Sequence, residues 1–305
     1  MKDGILNINK PQDMTSFDVV AILRKVLGVK RIGHLGTLDP MAEGVLPIAI
    51  GKAARVMDYL DSDTKEYVAE FVFGITSDTD DIWGENITLS DSFKEISRED
   101  IEEAAKGFIG VIEQIPPRYA AIKVDGRKLY EYARAGQEVD VKSRKIEIAS
   151  FDVLDFGKRY VEEVQADLFY TVVKVVCSKG TYIRSLARDL GNILGAGGAM
   201  SALVRRRSGA LKIEDAISVE TIRNMEIGEI EGFIKGAEEV LTGFPSVMLG
   251  EWESRLFRNG VKLEASQWHN ENAGSELYKV FGPDGFIGVG REYDDGTLKA
   301  DKVLA

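Results

Sequence analysis

The residues of this chain that could do chemistry concentrate in Gly33-His34-Leu35-Gly36-Thr37-Leu38-Asp39-Pro40-Met41-Ala42-Glu43-Gly44-Val45-Leu46-Pro47. Three glycines and two prolines within this stretch impose a loop of special backbone geometry, into which other groups can come close. Asp39 precedes a proline and is biased away from the helical region. Such a frame can present one carboxylate, Asp39, and one imidazole, His34. A carboxylate can act as nucleophile, base or electrostatic stabiliser. An imidazole can stack on a base or donate a hydrogen bond. Residue types alone fit a structural turn at least as well, with Asp39 as a cap and His34 as a satisfied loop residue.

Two basic runs stand out elsewhere. Residues 118–145 hold eight Lys/Arg against four acids, and residues 174–212 hold eight against Asp189 alone. Either could be a solvated face or the footprint of a polyanion.

The elements that must position these groups are readable in outline. Gly4 to Asn9 reads as a short strand stopped by Lys10-Pro11. Thr15-Ser16-Phe17-Asp18 has the form of a capping box, and Val19, Ile22, Leu23, Val26 and Leu27 follow at helical spacing up to Gly28. Tyr67 to Phe73 and Tyr170 to Val176 have strand character. Ser77 to Trp83 reads as an acidic loop. Ser97 caps a second helix whose apolar face is Ile101, Ala104, Ala105, Phe108 and Ile109. The second strand runs through Ser178-Lys179-Gly180 into a helix carrying Ile183, Leu186, Ala187 and Leu190. Gly195-Ala196-Gly197-Gly198 reads as a flexible loop. After Phe244-Pro245 short strands and turns, including Gly282-Pro283-Asp284-Gly285, suggest a small β-rich domain.

Composition sets bounds. The chain has 305 residues, 44% hydrophobic and 29% charged, which suits a globular protein of one large domain with an appendage, or of two domains. Cys177 is the single cysteine, so no internal disulfide is possible. With only His34 and His269 beside it, a structural Cys/His zinc site is excluded. No Walker A loop or dinucleotide glycine fingerprint occurs. No apolar run reaches the roughly 18 residues of a membrane span, and the start of the chain has no signal-peptide core, so a cytoplasmic protein is expected. The net charge of −11 argues at first against a nucleic-acid partner. Much of that acidity, however, sits in residues 77–103 and 213–256, at −8 and −7 respectively. The rest is net positive. A divided surface is therefore expected, with a basic cleft and acidic flanks.

Gly33-His34-Leu35-Gly36-Thr37-Leu38-Asp39-Pro40 closely resembles the catalytic motif of the TruB family of pseudouridine synthases. These enzymes convert the uridine at position 55 of the tRNA T loop to pseudouridine. Asn9-Lys10-Pro11 with Ser16 resembles the family's Lys-Pro-x-Gly-x-x-Ser element, with Asp13 where glycine is usual. Lys65-Glu66-Tyr67, and the loop through Thr76-Ser77-Asp78-Thr79-Asp80, resemble its Lys-x-Tyr strand and Thr-Asp-Thr-x-Asp loop. Pro116-Pro117-Arg118-Tyr119 through Lys123, with Gly126-Arg127-Lys128-Leu129-Tyr130, looks like its RNA-gripping insertion. Cys177 to Leu186 is similar to its strand-turn-helix motif, and Leu203 with Arg205-Arg206-Arg207 to its Leu-Arg-Arg element. Together these span residues 5 to 210.

The resemblance implies an α+β pseudouridine synthase fold, with a central mixed or antiparallel sheet flanked by helices and loops. It implies a catalytic domain over 1–243, with the gripping insertion at about 116–145, and a PUA-like domain over 244–305. It makes Asp39 the catalytic aspartate, Arg184 its partner, and Tyr67 the tyrosine that stacks on the flipped base. Whether Asp39 adds to the base, attacks the sugar or removes a sugar proton stays open. His34 would occupy the space the base leaves or hold the flipped loop, and Tyr182 and Leu203 would wall the pocket. Lys10, Arg118, Lys123, Arg127, Lys128, Arg205 and Arg206 would contact RNA. No cofactor and no metal are expected, because an isomerisation needs neither redox chemistry nor a group donor. The partner implied is the tRNA T stem-loop, acted on by a monomer without guide RNA and without a membrane. Two other readings are a guide-RNA-dependent relative and an RNA-folding module in which catalysis is secondary.

Overall fold

The computed structural model describes residues 1–60, 64–90, 95–137, 139–268 and 275–304, so His269 lies outside the described residues. Two compact units divide the chain: Met1–Asp63 with Arg207–Ala305, and Thr64–Arg206. Strands, helices and a mixed sheet give the α+β class expected from the sequence.

In the first unit the apolar strand Gly4–Lys10 pairs antiparallel with Glu43–Ile50 and parallel with the short strand Ile217–Ser218. Ile32–His34 pairs antiparallel along the other edge of that partner, with His34 opposite Ile48. The helix Ser16–Leu27 starts where the sequence places it. Thr15 accepts from the Asp18 N–H and Asp18 reaches back to the Thr15 N–H, closing a capping box. Gly28 ends the helix at φ 66, in the left-handed conformation that glycine adopts without steric cost. The turn before this helix carries Asp13 at φ 59. Asp13, which stands where the resemblance puts a glycine, thus takes the left-handed conformation that glycine favours.

The last part of the chain forms a four-stranded sheet in the order Ser246–Met248, Leu277–Gly282, Gly285–Glu292, Leu298–Val303. Phe257, Tyr278, Val280 and Leu298 fill a core of their own under it. Val289, however, packs with Ile5, Val45 and Val56. The Arg55 guanidinium also donates to the Val303 carbonyl at 2.7 Å.

In the second unit the order is Gly198–Ser208, Lys65–Phe73, Ala166–Cys177, Arg144–Val161, Gly110–Gln114, the last three contacts antiparallel. The alternation of Lys65–Phe73 buries Lys65, Tyr67, Ala69 and Phe71 on one face. The helix Arg98–Lys106 is shorter than its apolar pattern suggests. It stops before Gly107, so Phe108 is buried from a turn while Ile109 is half exposed. The glycine run at 195–198, expected as a flexible loop, packs closely at Gly197 and Gly198. A Cβ at Gly191 would strike the backbone of Gly197 and Gly198, one at Gly197 the Ile75 carbonyl, and one at Gly198 the Ala187 carbonyl. Glycine is needed there because the helix Ile183–Ile193 meets the chain that follows it at backbone distance.

Candidate active site

The first unit holds the Asp39 loop. His34 ends its strand, and Leu35 donates to the Pro47 carbonyl at 2.9 Å. Asp39 to Ala42 close a tight turn, the Ala42 N–H donating to the Asp39 carbonyl at 3.1 Å, with Pro40 pre-set at the second position. Asp39 itself is half-buried. Two side chains of the N-terminal motif hold the backbone on either side of it. Buried Ser16 accepts from the Leu38 N–H at 2.9 Å and donates to the Leu38 carbonyl at 3.1 Å. The Lys10 ammonium donates to the carbonyls of Pro11 (2.7 Å), Met14 (2.6 Å) and Pro40 (3.0 Å). Lys10 is completely buried, which corrects its expected role as an RNA contact. All three donors of an ammonium can be satisfied in this way, and the buried cation acts as a clamp on the loop.

Ser16→Ala tests the other clamp. We expect a loss of about 1–3 kcal/mol in unfolding free energy, from two buried backbone groups left unpaired, with a lower turnover. An unchanged denaturation midpoint would show that the hydroxyl does not hold Leu38.

The second unit holds the remaining expected residues. Tyr67 is buried in its strand opposite Val175. Tyr182 is the cap residue of the helix Ile183–Ile193, and Arg184 sits in its first turn. Arg184 is only 6% exposed. Its guanidinium donates to the Thr79 carbonyl at 3.0 Å and the Tyr119 carbonyl at 3.4 Å, and lies 3.5 Å from Asp81. The other Asp81 oxygen accepts from the Thr79 hydroxyl (2.6 Å) and the Trp83 N–H (3.1 Å). Asp80 beside it, at φ 61, meets Arg188 at 2.8 Å. Burial pushes the Asp80 carboxyl up to about 6, against the opposing pull of Arg188 and Arg184.

The loop read as part of an acidic flank therefore turns two of its carboxylates inward, onto arginines of the helix. Asp80, Asp81 and Arg188 were not singled out in the sequence. One signal was present: with Ser77 in place of threonine, Asp78-Thr79-Asp80-Asp81 reproduces the Asp-Thr-x-Asp pattern, and Asp81 is its last member. Gly84 closes the loop, since a Cβ there would come within 3 Å of Ser77 Oγ, Asp78 Oδ1 and Thr79 Oγ1.

Leu203 and Arg205 are buried in the strand Gly198–Ser208. At 1% exposure Arg205 is a structural cation, a correction to its expected place on RNA; Arg206 is partly exposed. In the insertion, Lys123–Val124 and Arg127–Lys128 form a hairpin through Asp125-Gly126, both at positive φ. Arg118 and Lys123 are exposed. Arg127 is drawn into the insertion itself. It stacks on Tyr132 at 4.6 Å and bonds the Gln137 side chain and the Glu131 carbonyl. Lys128 and Arg134 each lie 5.4 Å from the Tyr130 ring centre. Among the described residues no group of three or more His, Cys, Asp or Glu could hold a metal ion, and no helix is long and apolar enough to cross a membrane.

This fold is that of a pseudouridine synthase. It superposes on a chain of the Cbf5-Nop10-Gar1 complex with a TM-score of 0.72 at 26% identity, over 99% of this chain and 85% of that one. A chain of the archaeal box H/ACA sRNP Nop10-Cbf5 complex shares the fold at a TM-score of 0.73 and 23% identity, over 99% and 86%. Residues 24–183 match the TruB family pseudouridylate synthase N-terminal domain, and residues 184–242 the tRNA pseudouridylate synthase B C-terminal domain. The tRNA pseudouridine synthase B of Clostridium tetani is 41% identical over 302 residues, 99% of each chain. That of Bacillus cereus is 43% identical over 263 residues, 86% of this chain and 84% of its own. The chain belongs to the TruB family. It is a tRNA pseudouridine synthase, an isomerase acting on uridine in tRNA.

Proposed function

We propose that the uridine isomerised is that at position 55 of the T loop, and that Asp39 is the catalytic aspartate. The observation that carries this reading is the loop clamp. A side chain on a mobile surface turn would not need its neighbours, Leu38 and Pro40, held by the buried Ser16 and Lys10. That arrangement gives one carboxylate a fixed backbone, which is what attack on, or proton removal from, a single nucleotide requires. Three chemical roles for Asp39 remain: addition to the base, attack on the sugar, and removal of a sugar proton. Each breaks the bond between N1 of the base and the ribose and reattaches the base through C5, whose proton leaves while N1 gains one, and each needs the ionised carboxylate.

The other groups act on the substrate. Tyr67 stacks on the extruded base, offsetting an unstacking cost of a few kcal/mol. Arg184 keeps a carboxylate ionised. His34 fills the place the base leaves, while Tyr182 and Leu203 wall the pocket. Arg118, Lys123, Lys128 and Arg206 meet phosphates. The segment 244–305 is a PUA-like domain contacting RNA away from the target loop. The protein works as a monomer in the cytoplasm, without guide RNA or cofactor.

A tRNA transcript and its variant with cytidine at position 55 provide the test. Incubated with enzyme alone, the first should gain one pseudouridine per molecule and the second none. Pseudouridine at another position in the variant would refute the assigned site. A need for an added RNA would restore the guide-dependent reading.

A further inference from the structure

Gln114 is nearly completely buried, at 2% exposure, and its side chain reaches across the second unit to a residue 68 positions later. It is the last residue of the strand Gly110–Gln114, where it pairs with Arg144. Ile115 follows, then Pro116-Pro117, which cannot continue a ladder of N–H donors. The chain leaves the sheet here, and the Gln114 amide faces the start of the helix Ile183–Ile193. Its Oε1 accepts from the Tyr182 N–H at 2.8 Å, and its Nε2 donates to the Tyr182 carbonyl at 3.0 Å. Only one orientation of the amide allows both bonds.

Tyr182 is the cap residue of that helix, and no side chain within the helix makes a capping bond. In a capping box the cap residue's own N–H is bonded by a side chain one turn later. Gln114 supplies that bond from another strand and adds a second one, to the carbonyl that also receives the Leu186 N–H at 3.2 Å. The residues after Gln114 tie down the same turn. The Ile115 carbonyl accepts from the Ser185 hydroxyl and from Arg188, both at 3.0 Å. The Tyr119 carbonyl accepts from Arg184 at 3.4 Å.

We propose that Gln114 is a positioning residue for the reaction, setting Tyr182 and the guanidinium of Arg184 through the two bonds to the Tyr182 backbone. This rests on the reading that Tyr182 and Arg184 belong to the active site. Gln114 reaches no nucleotide in this scheme. The segment that follows begins the insertion that would grip RNA, and its own bonds to the helix, through the carbonyls of Ile115 and Tyr119, do not pass through the Gln114 amide. Without the amide, the first turn of the helix keeps its sequence but loses its anchor. A misplacement of the order of 1 Å can cost a hundredfold in rate.

The test compares Gln114→Leu, Gln114→Glu and Arg184→Met with the wild-type enzyme on full-length tRNA, reading kcat, KM and melting. Gln114→Leu should lose at least about tenfold in kcat with KM within about threefold, since the contacts to RNA are untouched. Gln114→Glu can accept from the Tyr182 N–H but donates to the carbonyl only when protonated. Burial raises a carboxyl's pKa, so its kcat relative to wild type should recover as the pH falls from about 8.5 to about 6. A wild-type kcat for Gln114→Leu, a loss confined to KM, or a pH-independent ratio for Gln114→Glu overturns the proposal. If Gln114→Leu does not fold, the pH series of Gln114→Glu decides. Arg184→Met separates the two ways of failing. Loss of turnover there, with normal Gln114→Leu, removes only the role of Gln114, whereas retained turnover in Arg184→Met removes the site reading itself.

Discussion

Asp39→Asn should abolish pseudouridine formation, by at least about a thousandfold in kcat or about 4 kcal/mol of barrier, and leave tRNA bound and the protein folded. Asparagine keeps the size of the side chain and a carbonyl oxygen but cannot carry the charge. All three chemical roles for Asp39 need an ionised oxygen, as nucleophile or as base. The fold should tolerate the change because backbone bonds shape the loop. Ser16 holds Leu38 on one side, Lys10 holds the Pro40 carbonyl on the other, and the Asp39 carbonyl takes the Ala42 N–H. Nucleoside analysis of treated tRNA gives the turnover, a filter-binding curve the affinity, and a melting curve the fold. Turnover within tenfold of wild type would sink the catalytic assignment, whatever the other two show. Lost binding with lost turnover would instead place Asp39 among the groups that hold the RNA.

Most of the elements were legible because local chemistry decided them. The capping boxes at Thr15 and Ser97, the glycine stop at Gly28 and the alternation of Lys65–Phe73 depend on residues within a few positions of one another. The Asp39 loop was legible as a motif, but its clamps were not. Composition shows a lysine and a serine; it does not show that Lys10 is buried on three carbonyls or that Ser16 reads both polar atoms of Leu38. The bonds to Leu38 and Pro40 cross 22 and 30 positions of chain, and no periodicity marks them. Gln114 was harder still. A lone glutamine before two prolines carries no signal until the helix it caps is in place.

Charge was the most misleading feature for a related reason. A count along the chain treats every ionisable side chain as exposed. Lys10 and Arg205 are buried, and Asp80 and Asp81 face Arg188 and Arg184. These groups nearly cancel within the net charge of −11, so they change where charge sits along the chain rather than its sum. Exposed cations of the insertion include Arg118, Lys123, Arg127 and Arg134, with Lys128 and Arg206 partly exposed. Arg127 is less available, because its guanidinium is stacked on Tyr132 and bonded within the insertion.

Replacing Arg184 is the substitution for which stability and turnover should fall together, and the comparison of Arg184→Met with Arg184→Lys separates them. The guanidinium does two jobs within the second unit. It neutralises Asp81, and its fork of donors satisfies the carbonyls of Thr79 and Tyr119 at once. Methionine removes both. It leaves Asp81 beside Asp80, two buried carboxylates with Arg188 as their remaining cation on that helix face, a change expected to cost about 3–5 kcal/mol of folding stability. Asp80 already sits up at about 6 because of burial, and loss of the Arg184 charge pushes it higher. At neutral pH part of the pair would then take up a proton rather than remain charged.

The sign of the pH effect follows. A carboxyl raised in the folded state binds protons that the unfolded chain releases, so Arg184→Met should be least stable, relative to wild type, above that raised value. It should recover as the pH falls toward 5. Lysine keeps the charge near Asp81 and most of the stability, but a single ammonium on a flexible stem cannot span two carbonyls and a carboxylate in one plane. Arg184→Lys should therefore melt within a few degrees of wild type yet lose about a hundredfold or more in kcat. Melting curves at pH 5 and pH 8 and single-turnover rates on tRNA measure both effects. If Arg184→Lys kept wild-type turnover, charge alone would suffice and the fork geometry at Thr79 and Tyr119 would be no part of catalysis. If both variants kept it, Arg184 would be a structural partner of the Asp80–Asp81 loop and nothing more.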